Sequence, residues 1–409
     1  MGDEDAYGRL VALQRDPYPA YARARDEPGL DYSEELGGRL VTRQADVREV
    51  LRRPEDFSSA NALTPDVMPA PESLAELGKG PGGGPVVVTA DGAEHLRLRA
   101  PLTRGLSASR VAAAVPFITA RAEALVDAFA GAGRAELMRQ YAKRLPGETV
   151  GHLLGLDPAD VPAAVHGSYR AEELLFRPLP VQEQILAARD MVALQWLLLE
   201  YAQERHRKPG TDLCTEIVQA IAPDAGEEGL TPQQRGEVVS NLQNLLIAGH
   251  LTATALIATT LYHLLRNRSQ WDLLCADPAL IPAAIEEAAR YDTAVQGFRR
   301  VTTRPVTLAG VELPAGEVLF VAYGAANRDP AAVDRPEVFD ITREPVRHLA
   351  FGHGVHSCPG SQLAREQLRI TLETFTRRLP GLRLDPDGGP VEMLPTMIHR
   401  SPRALPVTW

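Results

Sequence analysis

The chain has 409 residues but only three cysteines, Cys214, Cys275 and Cys358. None forms a C-x-x-C pair, so the sequence offers neither a disulfide framework nor a closed zinc site and fits a reducing compartment. Lysine is equally scarce, occurring only at Lys79, Lys143 and Lys208, so arginine carries nearly all the positive charge. Acidic residues still outnumber basic ones, 53 against 43, and the formal net charge of −10 argues against nucleic acid as a partner. The opening MGDEDAYGRL lacks an apolar core, so no secretory signal is expected and a cytoplasmic location follows. Internal repeats and long polar linkers are absent. The glycine-rich stretch 78–87, GKGPGGGPVV, lacks the Lys-Ser/Thr of a phosphate-binding loop and reads as a mobile loop, on the surface or beside a substrate.

What is present suits one large folded body. Hydrophobic residues make up 44% of the chain, enough for a substantial core. Residues 238–265 contain no Asp, Glu, Lys or Arg and could cross a bilayer by length, at roughly 42 Å for a helix. Asn241, Gln243, Asn244 and His250 interrupt that stretch, so it is read as a buried helix and no membrane is expected. Helical periodicity dominates elsewhere, as in 109–130, 182–207, 282–292 and 361–379. Strand signals cluster in 36–47 and 298–330, the second alternating around Gly310 and the 314–316 turn. The expected architecture is mainly α with a small β-rich lobe. It forms a single domain over 1–409, the lobe assembled from about 30–60 and 298–325 and the remainder mainly helical.

Cys358 lies in FGHGVHSCPGSQLAR, residues 351–365. Pro359 suits the first position of a helix, which would place the sulfur at that helix's positive end and favour a thiolate. Gly352, Gly354 and Gly360 remove side chains around it, so the loop could lie against a flat group such as a porphyrin. Two other readings stay open on these residues alone: a buried structural cysteine, and a nucleophile activated by His353 or His356.

FGHGVHSCPG resembles the Phe-Gly-x-Gly-x-His-x-Cys-x-Gly haem-binding loop of the cytochrome P-450 superfamily, in its soluble bacterial form. Further segments resemble that family in the proper order: His95 and Arg99 in EHLRLR, the oxygen-activating segment in AGHLTAT (248–254), Glu287 and Arg290 in EEAAR, and ANRDP (326–330). The resemblance covers essentially the whole chain. It implies the cytochrome P-450 fold, with the long central helix buried over the haem. It also implies haem b (iron protoporphyrin IX) as cofactor with Cys358 as axial iron ligand, and propionate contacts from His95, Arg99, Arg300 and His356. Gly360, Ala248 and Gly249 would lie against the macrocycle, and Glu287–Arg290 would be a structural pair bracing the cysteine loop.

A thiolate ligand favours O–O cleavage. The implied activity is therefore a monooxygenase that uses O2 to hydroxylate or epoxidise a bulky, weakly polar small molecule, such as a secondary metabolite. An alternative is oxidative coupling or cross-linking of an aromatic or cyclic-peptide product. A non-catalytic haem sensor and a cysteine hydrolase are the rivals from other classes. Substrate contacts are expected from Asn244, Ala248, Val295, Phe298 and Met397. The chain ends about fifty residues after Cys358. Electrons are therefore expected from NAD(P)H through a separate ferredoxin reductase and ferredoxin, the latter docking on Arg97, Arg104, Arg110, Arg365 and Arg369. One position departs from the family pattern. In Ala248-Gly249-His250-Leu251-Thr252 the alcohol, Thr252, is retained as the catalytic candidate, while leucine replaces the usual acid.

Overall fold

The computed structural model describes residues 2–409 apart from 224, 225, 227 and 228, with side chains from residue 7 onward. Two compact units emerge, each built from separated stretches of chain. The first comprises Met1–Ser58, Val115–Pro146 and Thr252–Trp409, and the second Ser59–Ala114 and Gly147–Leu251.

The first unit holds all the β structure among the described residues. In chain order the strands are β1 (Tyr32–Ser33), β2 (Gly38–Val41), β3 (Phe57–Ser58), β4 (Arg134–Glu136), β5 (Gly297–Thr302), β6 (Val306–Leu308), β7 (Val311–Leu313), β8 (Val318–Ala322), β9 (Arg383–Leu384) and β10 (Pro406–Thr408). One five-stranded sheet runs β1-β2-β8-β5-β3, with β2 parallel to β8 and β5 antiparallel to it. The two segments expected to supply a small sheet therefore do meet. Their apolar sides close over Val41, Val47, Phe57, Leu319 and Val321, all almost fully buried. The hairpin expected around Gly310 is β6–β7, its turn made by Ala309 and Gly310 at φ 51° and 76°. The three-stranded sheet β4-β10-β9 was not anticipated, because strands of two or three residues carry too little alternation to register.

Helices follow the expected segments closely: Ala108–Asp127, Val181–Arg207, Ile281–Tyr291 and Ser361–Arg378. Val181–Arg207 begins after Pro180, whose extended ψ of 148° breaks the preceding chain, and closes with Arg205, His206 and Arg207 against the negative end of its dipole. The charge-free stretch lies inside one helix, Pro232–Arg266, whose last fifteen residues belong to the first unit. By length and composition it could span a membrane, but its most apolar window is 72% buried within the protein. That is the mark of a core helix.

The first unit is also tied together by a buried charge cluster. Asp292 accepts from Tyr18 Oη at 2.7 Å and Arg400 Nε at 2.6 Å, and pairs with His263 Nε2 at 2.8 Å. The Arg328 guanidinium lies 3.5 Å over the Tyr18 ring. Burial alone would raise the Asp292 pKa, but Arg400, His263 and Arg328 overcome it and hold the carboxyl well below the usual range. Because the folded pKa is depressed, this stabilisation is complete above the ordinary Asp pKa of about 3.9 and fades as the pH falls below it. Asp292→Ala leaves the buried Arg400 without its carboxylate and removes the acceptor of Tyr18 and the partner of His263. It is expected to lower unfolding stability by about 3–5 kcal/mol at neutral pH, measured by urea denaturation, with a smaller loss near pH 3.

Candidate functional site

Cys358 sits at the end of a tightly specified loop. Its N–H donates to Phe351 O at 2.8 Å, which closes the loop on itself. Gly352 and Gly354 have φ of 69° and 70°, values that L side chains rarely adopt. At Gly354 a Cβ would also come within 2.2 Å of Leu51 O, on the helix Gln44–Arg52. The helix after the cysteine begins at Ser361 with Gly360 as its N-cap, so Pro359 precedes the helix instead of opening it. The reason lies in the hydrogen bonds: Ala364 N–H to Gly360 O, at 2.9 Å, is the first of the helical ladder. The sulfur still lies at the positive end of that helix. Cys358 is exposed, whereas Cys214 is buried and Cys275 half-buried. Burial pushes the Cys214 thiol up to about 12 and raises that of Cys275, so both are suited to packing and unsuited to ligation.

Glu287 and Arg290 form the buried pair expected of them, with Arg290 Nε to Glu287 Oε2 at 2.7 Å and Nη2 to Oε1 at 2.8 Å. Their reach is longer than a direct brace on the cysteine. Arg290 also donates to the carbonyls of Asn327, Pro336 and Val338, and Glu287 accepts from Asp340 N at 2.9 Å. Asn327 Oδ1 then accepts from Leu349 N at 2.5 Å, two residues before the loop begins. The ANRDP segment adds Asp329, whose carboxylate accepts from Gln44 N at 2.8 Å.

Arg299 and Arg300 are distinguished by the fold. Arg299 is half-buried and reaches Leu36 O, whereas Arg300 is only 4% exposed on β5. Arg300 donates to Arg299 O at 2.8 Å and bonds Tyr323, and among the described residues no carboxylate pairs with it. A buried guanidinium without a carboxylate is costly unless an anion completes it.

Within the second unit, His95 and Arg99 share a face of the helix Gly92–Gly105. His95 is buried, and burial together with Arg99 lowers its pKa. On the central helix, Asn244, Ala248 and Thr252 recur every four residues and are not buried, while Leu245, Leu246, His250 and Leu251 between them are. Those three form one accessible stripe. Gly249 allows close approach to the helix Arg144–Leu154, since a Cβ there would lie 2.7 Å from Val150 Cγ2. His250 lies in the packed layer at 0% exposure, with Nε2 2.5 Å from Ser168 Oγ and its ring 5.0 Å edge-on to Tyr169. The Ser168 hydroxyl proton goes to Val165 O, so His250 donates to Ser168. Of the other substrate-contact candidates, Val295 and Phe298 pack against the β-lobe core, and Met397 is buried with its carbonyl accepting from Gln296 N.

Two expectations change. The glycine-rich loop is pinned: Gly83 and Gly84 N–H donate to Ser240 Oγ at 2.9 and 3.1 Å, and Asn241 Nδ2 donates to Pro85 O at 2.8 Å. Its glycines serve close packing, for a Cβ on Gly84 would meet Glu237 Cα at 2.4 Å. The proposed docking arginines are self-neutralised: Arg97 pairs with Glu237, Arg104 and Arg110 with Glu216, Arg365 with Glu286, and Arg369 with Glu366 and Glu373. Sequence spacing did not reveal Glu286, His348 and Arg365 as a group, because they lie far apart in the chain.

An exposed thiol at a helix start, inside a glycine loop braced by a buried ion pair, is the arrangement expected of a haem-thiolate protein. The comparisons agree. A family model described as Cytochrome P-450 matches residues 276–403. The chain is 35% identical to nocardicin C N-oxygenase of Nocardia uniformis subsp. tsuyamanensis, over 98% of each chain. It is 34% identical to mycinamicin IV hydroxylase/epoxidase of Micromonospora griseorubida, over 90% of this chain and 89% of the other. The solved structure of cytochrome P-450 CREJ in complex with (4-ethylphenyl) dihydrogen phosphate superposes with a TM-score of 0.89 at 29% identity, covering 97% and 98% of the two chains. The chain belongs to the cytochrome P-450 family and is a haem-dependent monooxygenase that uses O2, a small-molecule substrate and redox partners. Its residues fit the cofactor: Cys358 offers a soft, accessible ligand, Gly360 keeps bulk away from the sulfur, and buried Arg300 calls for an anion such as a propionate.

Proposed function

We propose that this monooxygenase oxidises a bulky, weakly polar secondary metabolite, with Cys358 as the axial haem ligand. The observation that carries the ligand assignment is the exposed Cys358 thiol at the start of the helix Ser361–Arg378, in a loop closed by its own N–H to Phe351 O. Arg300, His356, His95 and Arg99 hold the propionates, and Ala248, Gly249 and Gly360 lie against the macrocycle. Haem, when bound, supplies dioxygen activation with two electrons and two protons, one oxygen atom going to substrate and the other to water. The relatives named for N-oxygenation of nocardicin C and for hydroxylation or epoxidation of mycinamicin IV support a natural-product substrate. Asn244, Ala248, Val295, Phe298 and Met397 are its contact candidates, the first two through the accessible stripe. The buried central helix and a cysteine set without disulfides support a cytoplasmic location.

Thr252 completes that stripe, and its hydroxyl holds the water that passes protons. Leu251 is buried and carries no proton, and the Nε2–H of His250 is committed to Ser168, so neither replaces the missing acid.

Electrons come from NAD(P)H through a reductase and an acidic ferredoxin. Arg48, Arg52 and Arg347 suit its docking, because among the described residues none pairs with a carboxylate. Arg48 donates to Arg347 O at 2.9 Å and Arg52 to His353 Nε2 at 3.2 Å. Beside them Val355, in the cysteine loop itself, is 44% exposed and offers an apolar contact.

Three measurements test this reading. The reduced carbon monoxide complex should show a strongly red-shifted Soret band that Cys358→Ser abolishes and Cys214→Ser or Cys275→Ser leaves intact; an unchanged band in Cys358→Ser removes the ligand assignment. Thr252→Ala should divert electrons to peroxide and lower product per NAD(P)H by about two- to tenfold. Normal coupling in that variant would point to substrate-supplied protons, as in oxidative coupling of an aromatic product. Arg52→Glu should slow reduction by a purified acidic [2Fe–2S] ferredoxin about tenfold at low salt, while Arg110→Glu has less effect and dithionite reduction stays unchanged. Equal slowing by the two reversals would remove the docking assignment.

A further inference from the structure

The consecutive glutamates of the helix Ile281–Tyr291 have different partners. Glu287 is committed to Arg290 and Arg343. Glu286 turns to the helix after the cysteine, accepting from Arg365 Nε at 2.6 Å and Nη2 at 2.8 Å in a two-pronged fork. His348 Nδ1 accepts from Ala350 N at 3.2 Å, so its Nε2 carries the proton and donates to Glu286 at 3.0 Å. The Arg365 guanidinium lies 4.3 Å over the Phe351 ring, and the carbonyl of that same residue accepts the Cys358 N–H. Arg365 is thus within electrostatic reach of the sulfur. Its pKa is raised by the hydrogen bond to Glu286 against the effect of burial, and further by the charge on Cys358. Burial would raise the Glu286 pKa, but Arg365 and His348 bring it down to about 2, so the carboxylate is charged throughout the working range.

We propose that Glu286 and Arg365 form a charge-balancing pair that sets how readily the Cys358-ligated haem accepts its first electron, with His348 orienting the carboxylate. The inference rests on the haem-thiolate reading above. Arg365 alone would place a full positive charge beside the thiolate and draw electron density from it; Glu286 cancels most of that field. Both side chains are only about one-third exposed, at 37% for Arg365 and 32% for Glu286, so solvent leaves part of the field unscreened. Reduction adds one negative charge to the haem site, so a net positive charge nearby favours it and a net negative charge opposes it.

The test exploits sign. The reduction equilibrium of substrate-free holoenzyme against a redox dye is measured for Glu286→Gln, Arg365→Gln, Arg365→Lys and the double variant Glu286→Gln/Arg365→Gln. Glu286→Gln leaves Arg365 uncompensated and should shift the equilibrium about three- to tenfold toward the reduced form; Arg365→Gln should shift it similarly toward the oxidised form, where tenfold is about 59 mV for one electron. The double variant and Arg365→Lys, which restore charge balance by different means, should return near the starting value. A purely structural clamp predicts shifts of the same direction in both single variants, or a shift in Arg365→Lys as large as in Arg365→Gln, and either result overturns the proposal. Loss of the red-shifted carbon monoxide band in both single variants would likewise assign the pair to loop architecture and overturn it. If the unaltered protein lacks that band, it is the haem-thiolate reading that fails.

Discussion

The position of the cysteine depends on an ion pair that never touches it. Glu287 and Arg290 are fully buried, a costly arrangement unless every remaining donor and acceptor finds a partner. Here they do, through the carbonyls of Asn327, Pro336 and Val338 and the amide of Asp340. These contacts fix an irregular stretch of chain that has little regular secondary structure of its own. Asn327 passes the constraint to Leu349, and the loop then closes through Phe351 O on Cys358 N–H. A glycine-rich loop loses more backbone freedom on ordering than any other, so it needs that external bracing to present one sulfur in one place.

Arginine is the currency of charge in this chain, and its environments sort by what surrounds each guanidinium. Arg290 and Arg400 are buried against carboxylates and serve architecture. Arg97, Arg104, Arg110 and Arg369 are paired at the surface, where such contacts contribute little. Among the described residues no carboxylate pairs with buried Arg300, and arginine cannot relieve burial by losing its proton. Arg48, Arg52 and Arg347 keep their charge facing outward in a protein that is acidic overall.

The central helix shows the same partition along one element. Its packed layer contains His250, committed to Ser168, while half-buried Gly249 beside it lets Val150 approach closely. Its accessible stripe contains Asn244, Ala248 and Thr252. Two adjacent residues, Leu251 and Thr252, thus fall on different sides of the helix, the leucine in the packed layer and the threonine on the accessible stripe.

Much of this was legible from residues alone. The cysteine loop, the E-x-x-R pair, the long charge-free helix and the hairpin at Gly310 are local signals, carried by spacing and by residues with special backbone demands. The strand segments were also visible, because alternation survives in runs of five or six residues such as β5 and β8. The strands β4, β9 and β10 were not, being defined only by the partners they meet. Arg300 was read from the sequence in preference to its neighbour Arg299, but only the fold shows that the two differ in burial on β5. The same holds for the arginine patch, which in sequence is a set of positive charges and in the fold a set of ion pairs. Glu286, His348 and Arg365 meet only because two helices and a loop converge. Local chemistry is written in the order of residues, whereas electrostatics and burial depend on distances through space, and those exist only once the chain has folded.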